Sequence, residues 1–562
     1  MKRLSILSLF LLVAMSARAK SPARPRLIVG IVVDQMRWDY LYRYYRHFGP
    51  DGFRRLMEDG FRCEQTFINY LPSYTAPGHA SIYTGSVPAI HGIAGNDWIE
   101  RGKSIYCTDD DTALPVGGSM RWGRMSPRSL LTTTVTDELR LATNFRSRAY
   151  GISLKDRSSI LPAGHLANGA YWFDDSTGTF ATSSYYRSKL PSWVDRFNAR
   201  HPADSLLTEA WTLRDAPASY TQSTADDVRY EGKFSKTAAG TGFPHQAVRI
   251  PGGAFTYNGL RYLPAGNRLT LQFAKECIAA NELGQGADPD FLCVSLSSTD
   301  YAGHRFGPNA LEMEDMFIRL DADLAKFLAY LDEGVGAGQY TVFLTADHGA
   351  AHNSLFLDDH KVPAGNISEG SLLRDLNHFL SLYTNEDSTV ASLENYQVHF
   401  KDEYTKKNLI DETQQLSIVL RGSGHGGRPS FSPLIKEKTI QWLKARPEIA
   451  EVLDLEESFR NSSVPEQIQT MAANGYYARR CGTLLYILKP GYYAGYAPTG
   501  TTHGTWNPYD THIPLLWYGW GIPKGQTHRE VHITDIAATL SALLHIQMPN
   551  GCVGKVITDM VD

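Results

Sequence analysis

Three aspartates and three histidines of this chain stand where a fold could gather them around metal ions. Asp300 and His304 lie four apart in Ser298-Thr299-Asp300-Tyr301-Ala302-Gly303-His304, so one helical turn would aim both the same way. Asp347 and His348 follow the apolar run Thr341 to Thr345, Asp34 follows the run Leu27 to Val33, and His503 sits in Thr502-His503-Gly504-Thr505. Carboxylate oxygens and imidazole nitrogens are ligands suited to zinc. A catalytic zinc takes three protein ligands and keeps one position open. Six such ligands therefore suit two catalytic ions, the clamp that in-line phosphoryl transfer uses. Any one of these histidines alone would more often be structural; the joint pattern carries the reading.

The nucleophile candidate is Thr75, in Pro72-Ser73-Tyr74-Thr75-Ala76-Pro77-Gly78-His79. Pro77 suits the first turn of a helix running on to Gly85, which puts Thr75 at a helix N-terminus, where free amides and the helix dipole attract an anion. A threonine hydroxyl needs activation to attack, and metal coordination can supply it. Taken alone, without the metal ligands, Thr75 reads more readily as an N-cap. Lys155 and Arg157 follow the run Tyr150 to Leu154. Two apart on an extended chain, they would point the same way and could reach one anion, Arg through paired hydrogen bonds and Lys as a point charge. The local alternative is a solvated strand end paired with Asp156. Asn96, after Gly95, could donate its amide to a phosphoryl oxygen or simply make a turn.

These residues need a scaffold. Short apolar runs at Leu27 to Val33, Tyr150 to Leu154, Phe291 to Leu296, Thr341 to Thr345 and Ile513 to Tyr518 read as buried parallel strands. Helical patterns lie between them, notably Ala310 to Leu331, with Met316, Leu320, Leu324, Phe327 and Leu331 on one face, and Ile533 to Leu544. This alternation predicts an α/β fold with a mostly parallel sheet, whose ligands bind beyond the carboxyl ends of the strands. Asp34, Lys155, Asp300 and Asp347-His348 all follow such ends, more polar strand ends than folding alone requires. Residues 158–290, rich in Tyr, Ser, Gly and Pro, read as decoration of the core. Residues 366–483 read as an inserted cap, with a helix at Leu434 to Ala445, leaving 20–365 and 484–562 as the catalytic core.

Over 562 residues, 43% are hydrophobic and 20% charged, with a formal charge of −4. That excludes a disordered chain and weakens nonspecific nucleic-acid binding through a basic surface. Residues 1–19 read as a cleaved secretory leader: Lys2 and Arg3, an apolar run from Leu4 to Met15, then Ala17-Arg18-Ala19. The run is too short to span a bilayer, so the expectation is a periplasmic or secreted protein without a membrane anchor. Six cysteines in an oxidising compartment allow up to three disulfides, although Cys293, inside an apolar run, reads equally as a buried thiol. No CxxC pair suggests a thiolate zinc site.

In order and spacing, the motifs VVDQMRWDYL, YTAPGHASIYTGSVPAIHGI, STDYAGH, TADHGA and THGTWNPYDTHIPL resemble the nucleotide pyrophosphatase-like branch of the alkaline phosphatase superfamily. Within it, Lys155-Asp156-Arg157 resembles the periplasmic, phosphate-irrepressible alkaline phosphatases. The resemblance implies a three-layer α/β/α core and two Zn2+ per chain: Asp300, His304 and His503 on one, Asp34, Asp347 and His348 on the other, with Thr75 bridging to the second as nucleophile. It also implies that Asn96, Lys155 and Arg157 bind phosphate. Thr75 is followed by Ala-Pro-Gly-His, which lacks the Cys or Ser and the Arg of the sulfatase motif. The expected function is hydrolysis of small phosphate monoesters through a phosphothreonine, with broad leaving-group specificity and neither a nucleic acid nor an obligate protein partner. The alternative is a phosphodiesterase or nucleotide pyrophosphatase using the same metals and nucleophile. A glycan-binding protein using the 30 Tyr and 10 Trp would leave the metal set unexplained, and a phosphomutase fits poorly with a leader. His79, His91, His352, His425 and His512 have no assigned role, except that His512 could orient the zinc site.

Overall fold

Every side chain of Leu27–Val33 (β1) is buried, as in a strand covered on both faces of a sheet. In this computed structural model, which describes residues 23–100, 102–235, 238, 240–247, 256–401, 433–456, 463–495 and 498–561, β1 lies inside an eleven-stranded sheet. The other strands in chain order are Phe61–Phe67 (β2), Pro115–Val116 (β3), Ala149–Ser153 (β4), Gly169–Asp174 (β5), Thr179–Ser183 (β6), Asp290–Leu296 (β7), Tyr340–Thr345 (β8), His512–Ile513 (β9), Leu515–Gly519 (β10) and Gly525–His532 (β11). Their spatial order is β9-β2-β10-β8-β1-β7-β4-β5-β6-β3, with β11 paired to β2. The four central strands β8, β1, β7 and β4 run parallel. Their carboxyl ends therefore open on one edge, and those ends carry Asp347, Asp34, Asp300 and Lys155. The expected leader lies outside the described residues.

The helices follow their apolar period. Leu311–Leu331 buries Met316, Leu320, Leu324, Phe327 and Leu331. At roughly 1.5–3 kcal/mol for each such side chain, that burial outweighs the fractions of a kcal/mol at stake in helix propensity. The last expected parallel strand differs. Ile513 to Tyr518 is broken at Pro514, which has no N–H to give a ladder, and Leu515–Gly519 runs antiparallel to β8, with Thr341 opposite Gly519. Residues 158–290 also do more than decorate: they supply β5 and β6 to the main sheet and the helix Pro264–Ala280, whose Leu269, Phe273 and Ala274 join the main core.

A second apolar core surrounds an antiparallel sheet of Val390–Glu394, Gln397–Phe400, Leu484–Leu488 and Ile449–Asp454, in that spatial order. Helices Glu369–Thr384, Pro433–Lys444 and Glu466–Gly475 contribute Leu376, Leu443 and Ile468 to it. Leu484–Leu488 lies past the expected limit at 483, because its fully buried run pairs with Gln397–Phe400 and Ile449–Asp454 and not with the main sheet. All six cysteines are free thiols, so none of the three allowed disulfides forms. Cys293 sits buried in β7, its thiol 3.7 Å from the Pro162 carbonyl oxygen.

Candidate active site

Thr75 opens the helix Thr75–Thr84, which ends at Gly85 in the left-handed region (φ 64°). The N-cap position belongs to Tyr74 and carries no side-chain cap bond, so the hydroxyl of Thr75 is not spent on capping. It lies buried, 3.3 Å from Nε2 of His348. Gly78 lets this helix pack on the end of β8: a Cβ there would stand 2.5 Å from the Asp347 carbonyl oxygen.

The six expected ligands gather into two sets, Asp300 with His304 and His503, and Asp34 with Asp347 and His348, each with donor atoms within 4.8 Å of one another. Asp300 and His304 share the helix Ser298–Phe306, as the spacing predicts. His304 Nε2 lies 3.1 Å and His503 Nε2 3.8 Å from Asp300 Oδ1. His348 Nε2 lies 3.6 Å from Asp34 Oδ1 and 3.5 Å from Asp347 Oδ2. The other ring nitrogens are taken: His304 Nδ1 lies 2.9 Å from Thr501 O, His348 Nδ1 3.0 Å from Gly349 O, and His503 Nδ1 2.8 Å from Ser73 O. A carbonyl oxygen only accepts, so each Nδ1 carries the proton, and in the neutral ring each Nε2 presents a bare lone pair.

Those lone pairs face carboxylate oxygens, an arrangement that needs a cation between them or doubly protonated rings. The second solution is unfavourable at His348 and His503, whose rings stack 3.4 Å apart. Burial lowers the pKa of both, and for His503 the neighbouring His348 and His304 lower it further. Asp34 Oδ1 and Asp347 Oδ2 are buried and accept no hydrogen bond among the described residues. Burial and the adjacent Asp347 push the Asp34 carboxyl well up, whereas at Asp300 the neighbouring His304 and Lys155 outweigh burial and hold it well down. By donor chemistry the two sets fit divalent metals of the zinc class.

Lys155 is buried with Nζ 2.6 Å from both Asp34 Oδ2 and Asp300 Oδ2, one carboxylate from each set. Arg157 does not stand beside it on an extended chain. Lys155 is the N-cap of the helix Asp156–Ala163 and Arg157 lies in its first turn, because Asp156 begins the helix where a carboxylate suits the dipole. Arg157 Nη1 donates to Tyr106 Oη (3.0 Å), and its buried Nε has no partner among the described residues. Tyr106 in turn donates to Asp156 Oδ1 (2.7 Å). The Asn96 side-chain carbonyl accepts from the Ala76 amide (2.9 Å), which anchors Asn96 at the start of the Thr75 helix and leaves its NH2 group to a ligand.

Two contributors had no role in the sequence reading. His79, four residues after Thr75 on the same helix face, has Nδ1 2.9 Å from Thr75 O and 3.2 Å from Asp347 Oδ2; that spacing was the available signal. Tyr106, which holds Arg157, had none, since a lone Tyr on a short strand predicts no partner. His512 packs against other partners: its ring stacks on Trp38 and Phe67 and its Nε2 meets Glu64 O. His91 and His352 pair with Ser81 and Asn309, and His425 lies outside the described residues.

This chain is similar to several known proteins over nearly its whole length. The alkaline phosphatase PafA of Elizabethkingia meningoseptica is 46% identical over 96% of this chain and 95% of its own length. The alkaline phosphatase PhoV of Synechococcus elongatus is 46% identical over 96% and 93%. A protein of Myroides odoratus named calcium-transporting ATPase is 45% identical over 96% and 95%. The crystal structure of wild-type PafA superposes with a TM-score of 0.88 at 44% identity, covering 97% of this chain and all of that one. The sequence profile of the type I phosphodiesterase / nucleotide pyrophosphatase family matches residues 28–510, a span that contains every ligand and phosphate-binding candidate above. On its sequence and its fold, the chain belongs to the type I phosphodiesterase / nucleotide pyrophosphatase family, within the alkaline phosphatase superfamily.

Proposed function

We propose that this chain is an exported alkaline phosphatase that uses two zinc ions and passes through a phosphothreonine at Thr75. Hydrolysis of phosphate monoesters rests on the relatives: PafA and PhoV, each 46% identical over 96% of the chain, are alkaline phosphatases. A solved variant of PafA also carries substitutions at a Thr and an Asn twenty-one positions apart and at a Lys and an Arg two apart, the spacings of Thr75 to Asn96 and Lys155 to Arg157. Hydrolysis at phosphorus is common to the names phosphatase and ATPase.

The observation that carries the metal reading is the convergence of three imidazole Nε2 atoms on buried carboxylate oxygens while each Nδ1 is held by a carbonyl. When bound, two such metals supply Lewis acidity at the attacking and departing oxygens. The chain's residues do the rest. Thr75 Oγ1 forms a bond to phosphorus as the ester oxygen leaves on the opposite side; water then cleaves the phosphothreonine, releasing phosphate and restoring the hydroxyl. Arg157, with Nε free, and the Asn96 amide meet the phosphoryl oxygens. Lys155 supplies positive charge between the two carboxylate sets. The His79 contacts to Thr75 O and Asp347 fix the nucleophile's helix against the metal ligands.

The family's description keeps diester hydrolysis as the second reading. A diester has one fewer charged oxygen, so a site with cations over the phosphoryl group favours the dianionic monoester. Paired kinetics with an aryl monoester and its diester, with Thr75→Ala as control, test this: kcat/KM should favour the monoester and collapse in the variant. Two displacements also require net retention at phosphorus, and inversion would remove the phosphothreonine.

A further inference from the structure

A third group of carboxylates lies outside the set around Thr75. Asp226, Glu231 and Glu312 each bring an oxygen within 4.8 Å of the other two. Acidic clusters are ordinary on a surface, but Glu231 is 2% exposed and Glu312 0%. One oxygen of each is occupied: Glu231 Oε2 accepts from the Val228 amide (3.2 Å) and the Thr241 hydroxyl (3.3 Å), and Glu312 Oε1 lies 2.7 Å from His245 Nε2. The other oxygen of each, Glu231 Oε1 and Glu312 Oε2, is buried and accepts no hydrogen bond among the described residues. Among those residues neither carboxylate pairs with a Lys or Arg. Asp226 is exposed but oriented, its oxygens accepting the Asp227 amide (3.1 Å) and the Phe243 amide (3.0 Å).

Buried carboxylates with orphan oxygens are unfavourable unless a cation compensates them. His245 gives Glu312 Oε1 one hydrogen bond and leaves Glu231 Oε1 and Glu312 Oε2 without a partner among the described residues.

We propose that Asp226, Glu231 and Glu312 form a third metal site, for a hard divalent cation of the calcium class. The donors are all oxygen, which selects calcium or magnesium over zinc. Calcium tolerates irregular coordination completed by water, and the exposed Asp226 side leaves room for it, whereas magnesium demands near-ideal octahedral geometry. The site ties two elements together. Glu312 stands in the first turn of Leu311–Leu331, and Glu231 belongs to a loop bonded to the candidate active site. In that loop the Gly232 amide donates to Arg305 O (2.8 Å), and Tyr230 O accepts the Gly500 amide (2.8 Å). Arg305 follows His304, and Gly500 precedes Thr501, whose carbonyl holds His304 Nδ1. A cation here braces the loop that orients His304.

The test uses the full chain with zinc in excess, dialysed against calcium chloride and assayed for both metals. One calcium per chain should be retained beside zinc. The apparent Tm should rise by roughly 3 °C at calcium a hundredfold above its Kd. Glu231→Gln and Glu312→Gln should each lose the calcium and the Tm response while keeping wild-type zinc content. Terbium(III) provides a second readout, independent of the variants' folding: excitation of Trp211, whose ring lies 5.4 Å from that of His245, should sensitise its emission, and calcium should quench it. Wild-type protein that retains no calcium and shows no calcium-dependent Tm overturns the proposal. So does calcium that persists in both variants, or preferential retention of magnesium.

Discussion

Replacing Arg157 by alanine separates monoester from diester hydrolysis more cleanly than replacing Lys155 does. Lys155 Nζ lies 2.6 Å from both Asp34 and Asp300, so its loss would disturb both ligand sets. Arg157 is held by Tyr106 and has Nε without a partner among the described residues. It can therefore give a phosphoryl oxygen a charge-assisted hydrogen bond without leaving another partner. Such a bond contributes about 1.5–3 kcal/mol, and a forked contact to two oxygens more. Against a diester, one of those oxygens carries an ester group and no charge. The difference between the substrates is then about one charge-assisted bond. Arg157→Ala should thus lower the ratio of monoester to diester kcat/KM by roughly 10- to 150-fold. The assay is steady-state release of an aryl alcohol from both substrates by metal-replete protein, with Thr75→Ala as the blank. Equal losses on the two substrates, with unchanged metal content, would refute the assignment of Arg157 to the phosphoryl group.

Thr75→Ala removes a buried hydroxyl that makes no cap bond, so monoester turnover should fall by at least roughly 10³-fold while Tm and zinc content stay near wild type. Tyr106→Phe deletes the hydroxyl between Asp156 and Arg157; a loss of about 1 kcal/mol should appear as a several-fold fall in monoester kcat/KM with little change for the diester. Gly78→Ala would press a Cβ to 2.5 Å from Asp347 O and should cost about 1–3 kcal/mol by overpacking, read as a lower Tm together with reduced zinc content. Chelation should remove activity and lower Tm, because Asp34, Asp300 and Asp347 then lie buried with Lys155 as their shared compensating charge; zinc should restore both.

Much of the candidate site was legible because the residues that carry chemistry also follow local rules. Asp300 and His304 share a helical turn, and Asp34 and Asp347 each follow a short, largely apolar run, so their ligand types and strand-end positions could be read without a fold. The helix Leu311–Leu331 and the strand Leu27–Val33 were legible for the same reason: burial imposes a period that composition cannot hide. Short-range geometry was less reliable. Arg157 was expected beside Lys155 on an extended chain, yet a helix begins at Asp156 and turns it toward Tyr106, a partner fifty-one positions away. Pro514 split an apolar run that reads as one strand, and β10 joined the sheet antiparallel, a direction set by where the chain returns and not by its local pattern.

The sequence by itself determined the donor atoms, the α/β alternation and the nucleophile candidate, since these depend on residue type and on spacings of one turn or one strand. The tertiary structure decided which donors meet. Four parallel strands in the order β8, β1, β7, β4 bring Asp347, Asp34, Asp300 and Lys155 to one edge, and strand order is a long-range property invisible in any local window. It also decided proton positions: Ser73, Gly349 and Thr501 supply the carbonyls that turn three Nε2 lone pairs toward the carboxylates. Cysteine pairing was decided the same way: an even number of cysteines allows disulfides, yet the fold leaves all six as free thiols. So was the charge trap of Glu231 and Glu312, eighty-one residues apart, whose unsatisfied oxygens arise only when folding takes both away from water.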